Sequence, residues 1–161
     1  PGADTTEPLT PSQITDRIAT MLNQGKNQEA LDIIEKRMAQ RQAEGAIGTD
    51  VQLLFQKARA LAALERHNDA IAVYREMTTL YPELPEPWNN LAAEYIKQGK
   101  LEMARDALTM ALTADPNYAT AKANMGQVQL MLAEQSFKSA AAQGIGSARS
   151  KAEKTKAILQ P

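Results

Sequence analysis

Residues 51–84 and 85–118 are two versions of one pattern, displaced by 34 residues. Leu54 falls on Trp88, Ala58 on Ala92, Leu61 on Tyr95, Ala70 on Ala104, Tyr74 on Leu108 and Pro82 on Pro116. Bulky positions stay bulky and small positions stay small. Within the second copy, Trp88, Leu91, Ala92 and Tyr95 are spaced to share one face of a helix, and Trp88 is expected to be buried between the two copies. Ala104, Leu108 and Ala111 do the same on a second helix. Ala92 and Ala104 let the two helices approach closely. Gln98-Gly99-Lys100 supplies the turn between them, with Gly99 suited to the left-handed backbone that ends a helix. Asp115-Pro116-Asn117 closes the second helix, because proline cannot continue it. One such helix pair cannot bury its own apolar face, so a stack of pairs is expected. No segment alternates with period two, and no β-sheet is expected.

The run Trp88-x2-Leu91-Ala92-x2-Tyr95, then Ala104-x3-Leu108-x2-Ala111, then Pro116, resembles the tetratricopeptide repeat. It departs from the family pattern at Ala92, where Gly is commonest, and at Leu108, where Phe is commonest. The resemblance implies an all-α fold, a right-handed α-solenoid of stacked antiparallel helix pairs. Upstream, Thr10-Pro11-Ser12-Gln13 reads as a capped helix start, with Gln13 completing a capping box. A first helix is expected to about Asn23, a turn at Gly25-Lys26, and a second helix marked by Ala30, Ile33 and Ile34. Residues 1–9, polar and acidic, read as a disordered lead-in. The expected division is a single domain over 10–161, with repeats at about 11–44, 51–84 and 85–118 and an atypical unit at 119–143.

That fourth unit breaks register. Ala133-x3-Phe137-x2-Ala140 repeats the second-helix signature five residues too early, and Gln127 to Gln143 contains no Gly, Pro, Asn or Asp. One fused helix over about 119–143 is therefore expected, ended by Gly144-Ile145-Gly146 and followed by a capping helix at 147–160. Met125, Val128 and Leu132 should pack on the preceding repeat, leaving Phe137, Ala140 and Ala141 as an uncovered apolar stripe. Either the last helix folds back over it through Ala148, Ala152, Ile158 and Leu159, or a second copy covers it and gives a homodimer. The tight reversal at the Gly pair favours the first.

Chemistry is sparse. The chain has no Cys and one His, which removes thiolate nucleophiles, disulfides and zinc–thiolate sites, and no metal site or cofactor is expected. His67 is expected in an exposed turn between helices, where a general base has neither nucleophile nor pocket. Asp32 with Glu35, and Glu102 with Asp106, read as solvated helix faces. Gly144-Ile145-Gly146 lacks the third Gly and the preceding strand of a phosphate loop. Arg149, Lys151, Lys154 and Lys156 read as the soluble outer face of the last helix, and Met103, Met110, Met125 and Met131 as core filling. The chain is read as non-catalytic. Eighteen basic residues against 19 acidic give a net charge of −1, with no electrostatic pull toward nucleic acid. No stretch approaches the roughly 18 apolar residues that span a bilayer, so no membrane insertion is expected.

The resemblance implies a concave groove, lined by the first helix of each repeat, that receives a protein or peptide partner. Carried across, the groove positions are Gln52, Phe55, Arg59 and Ala62; then Glu86, Asn89, Asn90, Ala93 and Lys97; then Ala123, Asn124, Gln127 and Met131. Phe55, Arg59, Asn89, Asn90, Lys97, Asn124 and Gln127 are the candidate contacts, because amide and cationic groups suit an extended backbone and its carboxylates. Thr15, Ala19 and Glu86 occupy positions where the carboxylate clamp of chaperone-binding members needs amide or cationic groups, so no chaperone tail is inferred. The expected function is a protein-interaction adaptor or scaffold, and the alternative is a self-associating scaffold working through Phe137, Ala140 and Ala141. Pro1-Gly2-Ala3-Asp4 lacks Met, which suggests a processed or trimmed chain. A periplasmic or envelope location is expected because the lead-in resembles that of bacterial envelope members of the family; the lack of Cys is compatible with that setting and with the cytoplasm, which is the alternative.

Overall fold

A computed structural model of the chain describes residues 11–160. Thr10 and the expected lead-in lie outside the described residues. Eight helices follow in order: α1 (Pro11–Asn23), α2 (Asn27–Ala43), α3 (Val51–Ala63), α4 (His67–Leu80), α5 (Pro85–Lys97), α6 (Leu101–Ala114), α7 (Ala119–Ala142) and α8 (Gly146–Leu159). There is no strand among the described residues. The fold is an α-solenoid of helix pairs. By contact the chain divides into two compact units, one ending at Val73 and one starting at Tyr74, so the division falls within α4.

The helix boundaries follow local chemistry. Asp50 caps α3 by accepting a 3.0 Å hydrogen bond from the Leu53 amide, satisfying one of the unpaired donors of the first turn. Pro85 begins α5, where its missing N–H costs nothing. Asp115 Oδ1 accepts from the Asn117 amide at 2.9 Å and holds the turn into α7. The tight turns share one closure. Lys26 N–H donates to Met21 O, Arg66 to Leu61 O and Lys100 to Tyr95 O, each at 2.9 Å. This bond requires the residue before it to adopt positive φ. Gly25 and Gly99 meet that requirement at 76° and 71°, whereas Glu65 is held at 60°. A side chain there costs about 1–2 kcal/mol, so the α3–α4 turn carries strain that the other two avoid.

In the first unit α1, α2 and α3 pack together around Ile18, Ala30, Leu31, Ile34, Leu53, Leu54, Ala58 and Leu61, all buried. Gln56 on α3 donates to the Thr15 carbonyl of α1 at 2.9 Å, which ties the two first helices of that unit. In the second unit α5 packs on α6, α6 on α7, α7 on α8, and α5 also meets α7. Its core holds Leu91, Ala92, Tyr95, Leu101, Ala104, Leu108, Ala111, Ala121 and Val128. The expected small positions Ala92 and Ala104 are fully buried, as close helix approach demands.

The fused helix is present: α7 runs unbroken for 24 residues, about 36 Å at 1.5 Å per residue. α8 packs along it, burying Ala148, Ala152 and Thr155, with Leu159 half-buried. Phe137, Ala140 and Ala141 are half-buried, and the Lys151 ammonium lies 5.9 Å from the Phe137 ring centroid. The stripe thus has intramolecular cover. Ile158 differs from expectation: it is 71% exposed, because Thr155 rather than Ile158 falls on the seam of the helix that faces α7.

Three other expectations are corrected. Trp88 was expected to be buried and is half-buried. It lies in an open groove of about 360 Å³ between α4 and α6, beside Thr78, Leu91 and Tyr95, and its indole N–H donates to the Pro82 carbonyl at 2.9 Å. Met103 and Met110, expected in the core, line the same groove at 44% and 41% exposure. Helix α6 buries Leu101, Ala104, Ala107, Leu108 and Ala111, and the methionines flank Ala107 at the edge of that face, where the groove is open to water. His67 is the first residue of α4 and half-buried, not an exposed turn residue, because the helix begins earlier than the charged run suggests. Since part of the Trp88 ring stays in water, Trp88→Ala should cost about 1–3 kcal/mol by urea unfolding, below the range for emptying a closed aromatic site.

Candidate functional site

The first helices of the second unit, α5 and the start of α7, lie side by side and bring the candidate polar residues together. Asn124 Nδ2 donates to Asn89 Oδ1 at 3.0 Å, across 35 residues of sequence. Asn89 Nδ2 donates to Asn90 Oδ1 at 3.3 Å, and Asn90 Nδ2 donates to the Tyr74 hydroxyl at 3.2 Å. Four side chains from three helices therefore form one chain of hydrogen bonds. Asn89 is its buried link, only 5% exposed, so it orients its neighbours and does not itself face outward. Asn90 and Asn124 are half-buried and Gln127 is exposed. Asn124 uses one N–H in the chain, which leaves the second N–H and its carbonyl oxygen for another group.

Lys97 has an acidic neighbour on its own helix. Its Nζ lies 3.3 Å from Glu94 Oε1. Glu94 is 3% exposed, so this carboxylate is held inside the unit with the lysine as a counter-charge. The Lys97 side chain itself is 56% exposed, so its ammonium reaches from the buried carboxylate to the outer face. Glu94 was missed in the sequence because a Glu–Lys pair three residues apart looks like a solvated helix face. Tyr74 was missed as well, since its alignment with Leu108 marks only bulk. Beside this face, burial and then the charges of Glu86 and Asp115 hold the Tyr118 phenol above its usual value, so it is a neutral hydroxyl at neutral pH.

In the first unit Phe55 and Arg59 are both half-buried on α3, one helical turn apart, near Gln56. Gln56 is buried, and its Oε1 has no hydrogen-bond partner among the described residues. Gln52 is exposed and Ala62 half-buried. No helix among the described residues is long and apolar enough to cross a membrane.

Sequence profiles of the tetratricopeptide repeat match residues 85–118 and 51–94. It is a tetratricopeptide repeat protein. The matched tetratricopeptide segments coincide with the α5–α6 pair and with α3–α4 running into α5. No curated protein sequence matches the chain. Among solved structures, the first tetratricopeptide domain of Spaghetti (RPAP3), bound to the HSP90 peptide SRMEEVD, superposes with a TM-score of 0.64 at 22% identity, over 74% of this chain and 90% of that one. PcrH in complex with the chaperone binding region of PopB gives 0.58 at 16% identity, over 78% and 98%. MamA from Desulfovibrio magneticus RS-1 gives 0.63 at 14% identity, over 94% and 78%. At these identities the likeness is one of fold.

Proposed function

We propose that this tetratricopeptide repeat protein is a non-catalytic adaptor that holds an extended peptide or partner segment against the first helices of its repeats. The single observation that carries the reading is the Asn124–Asn89–Asn90–Tyr74 chain. It fixes Asn90 and Asn124 on one face of α5 and α7 and leaves Asn124 with a donor and an acceptor side by side. Such a pair matches the N–H and C=O of one residue in an extended backbone. Gln127, one turn further along α7, supplies a second amide at the same face. In the first unit, Phe55 and Arg59 offer an aromatic contact and a cation to the same kind of partner. The reading is supported by two fold relatives, one described with a bound HSP90 peptide and one with a region of PopB.

A photo-crosslinking amino acid tests the reading in the source cell. Placed at Gln127 it should capture a discrete protein adduct, whereas at Thr109, exposed on α6, it should capture none. Adducts from Thr109 and none from Gln127 would move the working surface to the other side of the repeats.

A further inference from the structure

In the first unit a groove of about 320 Å³ runs along α1 and α2, lined by Ile14, Arg17, Ile33, Lys36, Arg37 and Gln40. Ile33, Lys36, Arg37 and Gln40 recur at i, i+3, i+4 and i+7, so they form one stripe along α2. Ile14 and Arg17 sit one turn apart on α1. The two isoleucines are half-buried and make an aliphatic floor, while Arg17, Lys36 and Gln40 are exposed and Arg37 half-buried. Three cations surround that floor, and among the described residues no carboxylate lines it. None of the three forms an ion pair among the described residues, in contrast with Arg66, Arg105 and Lys138, which each face an acidic side chain.

A chain of net charge −1 thus concentrates unpaired positive charge around one apolar cleft, in a place that the adaptor reading does not use. We propose that this α1–α2 groove is a second docking site, and that its occupant is an acidic protein segment carrying an aliphatic side chain. The carboxylates meet Arg17, Lys36 and Arg37, with the guanidinium groups able to bind in bidentate fashion. The aliphatic side chain sits between Ile14 and Ile33. Nucleic acid is the poorer fit, because the described lining has no aromatic ring on which a base could stack. An anionic bilayer would meet the cations but leave a cleft of side-chain width unfilled.

The test uses the full chain and a fluorescein-labelled peptide, GDELDLEG, in an anisotropy titration. Saturable binding is expected, weakening steeply as NaCl rises from about 50 to 200 mM. Arg17→Glu combined with Lys36→Glu should weaken it at least about tenfold, since like charges then face each other. The milder Arg17→Gln with Lys36→Gln should weaken it in the same direction, which guards against a reversal variant that does not fold. Arg17→Lys should retain part of the binding, since it keeps the charge and loses the bidentate fork; Asn90→Ala with Asn124→Ala should retain it in full, so that failure of the adaptor face and failure of this groove read differently. The amide analogue GNQLNLQG should not bind. The proposal is overturned if the parent shows no saturable binding, if charge reversal leaves affinity unchanged, or if the amide analogue binds equally. It is equally overturned if Lys151→Glu with Lys154→Glu on α8 removes binding, or if an oligonucleotide or phosphatidylserine vesicles displace the peptide at lower concentration than the unlabelled peptide does.

Discussion

Leu108→Ala should lower the free energy of unfolding by about 2–5 kcal/mol, whereas Met103→Ala and Met110→Ala on the same helix should each cost less than about 1 kcal/mol. All three residues are large and apolar and all three lie on α6, so composition alone does not separate them. Burial does. Leu108 is fully buried between Ala104 and Ala111, which are themselves fully buried. The methyl groups of those alanines already let α6 approach its neighbours closely, so little slack remains to close a cavity at Leu108. A cavity that cannot collapse adds its own cost to the lost transfer free energy. Met103 and Met110 leave much of their surface in water, so truncation removes far less burial. Urea denaturation of the three variants measures the contrast through the shift in midpoint at constant slope. Equal losses for Leu108 and the methionines would mean that the register of α6 is wrong.

The sequence carries the helix pairs so clearly because each boundary is punctuated by a residue with its own backbone physics. Gly25 and Gly99 supply positive φ, Pro85 starts α5, and Pro116 stops α6. The unbroken α7 is legible for the opposite reason, the lack of any such residue from Gln127 to Gln143. Periodicity fixes which residues share a face of a helix. It does not fix how completely a neighbouring helix covers that face. Trp88, Met103 and Met110 were misread for that reason: the face was right, but the groove above it is open. The same gap explains Ile158, one position away from the seam that α8 turns toward α7.

The polar face was legible in part. The repeat pattern singles out Asn89, Asn90 and Asn124, but equal residue types take unequal roles once their partners are known. Asn89 is buried with hydrogen bonds on both sides of its amide; Asn90 is bonded on both sides as well but is half-buried and keeps one N–H, and Asn124 keeps an N–H and its oxygen. Such a division depends on contacts 35 residues apart, which no local pattern encodes. Lys97 illustrates the electrostatic version. A lysine and a glutamate three residues apart ordinarily both sit in solvent, whereas here Glu94 is buried and only Lys97 stays exposed.

The central claim is that the face shared by α5 and α7 holds the partner through its asparagine amides, and an affinity measurement with Asn90→Ala combined with Asn124→Ala tests it most directly. Each neutral hydrogen bond contributes about 0.5–1.5 kcal/mol net, so losing one at each position removes about 1–3 kcal/mol of binding. The dissociation constant for the partner captured by crosslinking should then rise by about five- to 150-fold by isothermal calorimetry. Neither side chain belongs to the apolar core, so the circular dichroism of the variant should keep the helical amplitude of the parent. Asn124→Gln should recover part of the loss, since it restores an amide on a longer stem. A rise of this size with unchanged helicity is the result the account predicts; a dissociation constant equal to that of the parent would contradict it.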